Sequence, residues 1–257
     1  MASFSMISFF RKIRQKQLQN TIGAENRVGR YFAYALGEIL LVVIGILIAL
    51  QINTSNEARK SRAYELTMLR EVNEAMKVDY QNMSTVLLYL QRIQRSFYAL
   101  TVMKNDRSVS TDSLDFHLEN VREYGYVFSI NTSPYEGIKS GGLDKISNPE
   151  IRNELSYLFG YLLPMSESWI NEVLRVELFN RNELIDGLFY IESFPRDDNS
   201  VSSRVVIEDQ SVIYTHPDFE KLIRTGWPLP GTVKRLTAIR ERMQGLIRLI
   251  DTELMKS

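Results

Sequence analysis

Along residues 57–104, apolar side chains return every three or four positions. Leu69, Val72, Met76, Met83, Val86, Leu90, Ile93, Phe97 and Leu100 share one stripe with a single polar member, Asp79. That spacing predicts a long helix with one face turned to a core, in a coiled-coil-like 3-4 repeat. Leu66, Tyr80 and Leu87 widen the face, which suits a helical bundle better than an isolated two-stranded coil. A second stretch, 151–191, continues the pattern through Ile151, Leu155, Leu158, Leu162, Met165, Trp169, Val173 and Val176. Pro164 should kink or divide it, because proline supplies no N–H and clashes with the preceding turn. A third stretch, about 232–255, carries Val233, Leu236, Met243, Ile247, Ile250 and Leu254, with Arg240 as its only polar member.

Shorter elements lie between these. A polar loop at 104–111 leads to a short helix reaching about Glu123, and "YGYVFSIN" is apolar and β-capable. "SPYE" (133–136) reads as a capping box with Ser133 as the cap, and its helix should stop at Gly141-Gly142. "SNPE" (147–150) opens the next helix by similar chemistry. "PRDDNSVSS" (195–203) reads as a loop, "RVVIEDQSVIY" (204–214) as a small hairpin turning near 208–210, and "PDFEKLI" as a short helix. The fold class is therefore mainly α, with at most a small β-hairpin.

One run departs from amphipathic patterning. Residues 31–52 hold a single charge, Glu38, in 22 positions. As a helix they span roughly 33 Å at ~1.5 Å per residue, enough to cross a hydrocarbon core of ~30 Å once. A cleaved signal peptide is the rival reading, but no small-x-small site follows the run. Three segments result: a basic cytoplasmic segment at 1–30, a transmembrane helix at 31–53 continuing into the long helix, and an extramembrane helical domain at 54–257.

Charge sets the expected orientation. Residues 1–30 carry six basic groups against Glu25, among them Arg11, Lys12, Arg14 and Lys16 in an amphipathic "ISFFRKIRQKQL". They could lie on the anionic cytoplasmic leaflet, or form a frayed end that only sets topology. Either way the N-terminus is expected inside and the C-terminal domain outside, periplasmic in a Gram-negative cell. Lys+Arg and Asp+Glu balance at 31 each, so no global field points to nucleic acid.

"FFRKIRQ", "YALGEILLVVIGILIALQIN" and "NEARK" together resemble an uncharacterised family of single-span bacterial membrane proteins common in Bacteroidetes. Its anchor reads GEIxLVVIGILIALQIN. Thr54-Ser55 replaces the family's usual Asn-Trp. The resemblance implies a single span in a bacterial inner membrane and a helical extramembrane region. It implies no activity and no catalytic residue.

The chain has no cysteine and two histidines, His117 and His216, neither in a metal motif. No nucleophile signature or phosphate-binding loop is present, so no enzyme, cofactor, metal or small-molecule substrate is read. Within the span, Ala33, Gly37, Gly45 and Ala49 lie on one i, i+4 ridge, and Glu38 adjoins it. Small residues on one ridge let two helices approach closely. Glu38 could then specify a transmembrane interface, snorkel to the head groups, or carry protons. Asp79 and Arg240 are candidates for a polar pair if the last helix packs antiparallel to the long one.

The leading expectation is a membrane-anchored helical interaction module. It would be a scaffold or accessory subunit of an envelope complex, touching the bilayer and a second copy or another membrane protein. The alternatives are an ion-coupled subunit using Glu38 with a multi-span partner, and an extramembrane ligand sensor acting through a partner.

Overall fold

A computed structural model describes residues 27–122 and 128–256. Arg11, Lys12, Arg14 and Lys16 lie outside the described residues. Helix α1 takes Arg27–Asn105; α2 is Leu114–Arg122 and α3 is Ser133–Gly141. A 3-10 turn, Leu143–Lys145, precedes α4, Pro149–Tyr157. Then come α5 (Leu163–Ser168), α6 (Arg175–Leu188), strands β1 (Tyr190–Pro195) and β2 (Val201–Val206), α7 (Val212–Thr215), α8 (Pro217–Arg224) and α9 (Leu229–Met255). The chain divides into two compact units, the first ending at Lys60 and the second beginning at Ser61.

In the first unit, every side chain from 31 to 55 is exposed. This part of α1 is long and apolar enough to cross a membrane, and none of its apolar window is buried.

In the second unit, all ten stripe positions from Leu69 to Leu100 are buried, Asp79 included. In this unit α9 runs antiparallel to α1. Arg240 reaches Ser84, Asp251 reaches Asn73 and Lys77, and Glu253 reaches Arg62, so rising numbers on one helix meet falling numbers on the other. The buried face of α9 is rotated slightly from the expected stripe. Leu236, Met243 and Ile250 are common to both, but Thr232, Ile239, Leu246 and Glu253 complete the core side. Arg240 stands at its edge.

The stretch after α4 departs further from the expected stripe. Pro164 does divide it, with π-helical turns at Leu158–Leu162 and Trp169–Leu174 on either side of α5. A π turn holds more residues than an α turn, so the buried face moves along the sequence. The inward positions become Phe159, Leu163, Ser166 and Ile170, then Leu178, Arg181 and Ile185, while Val176 turns out to solvent.

Two caps differ from expectation. The Asn131 side chain, not Ser133, serves the start of α3, accepting the Ser133 N–H at 3.2 Å. Asn148, not Ser147, caps α4 through the N–H groups of Glu150 and Ile151, with Pro149 as the first helical residue. Of "YGYVFSIN", Phe128 to Asn131 are described, and they belong to no helix or strand. Asn171 holds this backbone from the side, donating to the Phe128 carbonyl at 2.9 Å and accepting its N–H at 3.2 Å.

The hairpin also lies elsewhere than expected. β1 pairs antiparallel with β2 from Tyr190↔Val206 to Pro195↔Val201, so the expected loop is the turn and 212–215 is helical. Asn199 takes the positive φ of 62° that the turn needs, and Asp198 accepts from the Ser200 N–H and hydroxyl. The hairpin docks on α2, where Arg122 donates to Ser203 at 3.0 Å and the Val205 N–H meets the Glu119 carboxylate.

Candidate functional site

Ala33, Gly37, Glu38, Gly45 and Ala49 are all exposed on α1. Among the described residues a Cβ added at Gly37 or Gly45 would meet nothing within 4 Å, so none of them covers the groove over the two glycines. Eleven Leu, Ile and Val side chains occupy positions 39–52. On insertion scales they contribute about 3–7 kcal/mol together, at ~0.3–0.6 kcal/mol each. A mid-span carboxylate costs ~2.5–3.5 kcal/mol, and less toward an interface. The apolar run therefore outweighs Glu38.

Asp79 and Arg240 come close in register, but no ion pair joins them among the described residues. Asp79 and Tyr80 project about 100° apart on α1. The Asp79 carboxylate turns to the α3 side and accepts the Asn131 N–H at 3.1 Å. Burial raises its pKa, opposed by that one hydrogen bond. Arg240 meets the other flank of the stripe, with its guanidinium carbon 4.5 Å from the Tyr80 ring centroid and Nε donating to Ser84 Oγ at 2.7 Å. The expected pair is replaced by two separate arrangements.

A polar cluster that sequence reasoning missed forms around Glu65 and Arg62. Glu65 is 2% exposed and accepts the Ser147 N–H and hydroxyl, each at 2.7 Å. Arg62 donates to Glu65 at 2.7 Å and to Glu253 at 2.8 Å. These hydrogen bonds raise the Arg62 pKa, and the bond from Arg62 is the first cause of the lowered Glu253 pKa. One guanidinium thus ties α1, the loop before α4 and the end of α9. The signal was present: counting back from Leu69 by threes and fours reaches 65 and 62, so polar residues there extend the buried face.

Ser96, His117 and Asn120 form a further cluster. Ser96 Oγ lies 3.1 Å from His117 Nδ1 and accepts from Asn120 Nδ2 at 3.0 Å. Burial lowers the His117 pKa. Ser96 is 2% exposed, so a substrate has no access to it, and the trio reads as an interhelical polar lock. His216 caps α8, its Nδ1 accepting the Asp218 N–H at 3.2 Å. Among the described residues no group of three His, Asp or Glu side chains could hold a metal ion.

The described residues hold one candidate membrane span, and the second unit is a helical bundle with a small two-stranded sheet. The model of a family of unknown function (DUF6090) matches residues 38–150, from Glu38 in the span to the first turn of α4. No curated protein and no solved structure matches the chain.

Proposed function

We propose that the protein is a membrane-anchored helical interaction module, a self-associating scaffold or accessory subunit of an envelope complex. The observation that carries this reading is the wholly exposed apolar window of α1, with the open ridge over Gly37 and Gly45. Lipid covers such a window, and a small-residue ridge within lipid favours a second helix. The basic N-terminal segment and the resemblance to single-span bacterial proteins favour an inner-membrane anchor with the N-terminus cytoplasmic and the bundle periplasmic. Glu38, beside the ridge, would hydrogen-bond across the interface when protonated.

Crosslinking in native membranes tests the reading. Association should survive Glu38→Gln and weaken in Glu38→Leu and Gly45→Ile. Unchanged association in all three would leave Glu38 a snorkelling residue and remove the interface. Glu38 also supports a second reading, an ion-coupled subunit. That reading requires Glu38→Gln to abolish function while assembly persists.

A further inference from the structure

Arg181 on α6 is 5% exposed, and its Nε has no hydrogen-bond partner. Among the described residues no carboxylate forms an ion pair with it. Its guanidinium carbon lies 5.6 Å from the centroid of the Phe97 ring. Burial draws its pKa down to about 10, with Tyr89 and Glu177 acting weakly the other way. A cation taken from water without a counter-charge is among the costliest arrangements a protein interior can hold. A ring quadrupole returns only ~2 kcal/mol when desolvated.

A cavity of about 30 Å³ opens beside this guanidinium. Among the described residues Arg181, Arg175, Tyr89, Thr225 and Leu229 line it, and Glu177 is the one acid. Part of its wall is the π-helical turn Trp169–Leu174, which contributes Ile170 and Leu174. Single π turns are rare and recur at functional sites. Leu229 is the first residue of α9, so the positive end of a 27-residue helix also borders the space. A water-sized particle needs about 10–15 Å³ of this kind of space. The cavity therefore has room for a particle the size of a monatomic ion. Water would fill it without balancing the charge.

We propose that this cavity is a built anion site that holds one chloride ion against Arg181, between α1, the π turn and the start of α9. The bound ion supplies a counter-charge where no ion pair among the described residues does so, and links the wide turn to the bundle.

The test uses the full chain in detergent micelles at constant ionic strength, with gluconate, too large for the cavity, exchanged stepwise for chloride. The wild-type unfolding midpoint should rise saturably, by about 5–10 °C when chloride reaches a hundred times its dissociation constant. The protein should broaden the chloride-35 resonance, and bromide should reverse the broadening. Arg181→Met should remove both responses, while Arg181→Lys should keep a weaker one. Equal midpoints in chloride and gluconate, or a chloride response undiminished in Arg181→Met, would overturn the site. If Arg181→Met does not fold, the wild-type resonance decides: no broadening, or broadening that bromide leaves unchanged, defeats the proposal.

Discussion

Arg240 of α9 lies over the Tyr80 ring of α1 at 4.5 Å and hydrogen-bonds the neighbouring Ser84, leaving Asp79 to the backbone of Asn131. The stripe's acid and base therefore act independently. Arg240→Ala should cost about 1–2 kcal/mol, the sum of one cation–π contact and one hydrogen bond. A double-mutant cycle should give a coupling of ~0.5–1 kcal/mol between Arg240 and Tyr80 and none between Arg240 and Asp79. A large coupling to Asp79 in denaturant unfolding would reinstate the direct pair.

Arg62 is the cation shared by two buried carboxylates. Arg62→Met leaves Glu65 and Glu253 facing each other's neighbourhood without it. Breaking a fully buried pair costs about 3–5 kcal/mol; Arg62 is about a third exposed, so the expected loss is ~2–4 kcal/mol. Urea unfolding followed by circular dichroism measures it. A loss below ~0.5 kcal/mol would reduce the cluster to a surface ion pair.

Two carboxylates should give stability opposite pH slopes. Burial raises Asp79 above its unfolded pKa, so its neutral form is favoured in the fold. Its contribution is complete below the unfolded pKa and is lost as pH rises through the raised one. Glu253 is held below its ordinary value, so its contribution is present above the unfolded pKa and lost as pH falls through the lowered one. Asp79→Asn keeps shape and an oxygen acceptor. It should flatten the loss on the neutral side and leave the acid limb intact. An unchanged unfolding profile on both limbs would mean that Asp79 does not titrate between the two states.

Two glycines sit against aromatic side chains, and they should respond differently. At Gly226 a Cβ would lie 2.5 Å from the buried Phe97 ring. At Gly141 it would overlap the hydroxyl end of Tyr64, which is 36% exposed. Tyr64 can swing outward, whereas Phe97 is a buried core residue, 6% exposed. Gly226→Ala should cost ~1–3 kcal/mol as overpacking, and Gly141→Ala under ~1 kcal/mol. Equal costs in thermal unfolding would contradict the difference in freedom assigned to the two rings.

The sequence alone determined the elements whose signal is local and repeated. The apolar window of α1 is visible because a span needs a long unbroken run of such residues. The stripe from Leu69 to Leu100 is visible because an unbroken α-helix returns the same face every three or four residues, and all ten positions are buried. Tertiary structure decided whatever depends on phase and on partners. The π turns around Pro164 shifted the inward face of the following helix, a change that an α period does not encode. β1 chose β2 because Asp198 and Asn199 make the turn, although each strand is short and weakly patterned. Ser147, Asp79 and Arg240 found partners 82, 52 and 156 residues away. Arg181 was placed in the core by the same shifted phase. A polar side chain's partner follows from which helix faces meet, and that is settled by burial of the apolar stripes before any hydrogen bond is chosen.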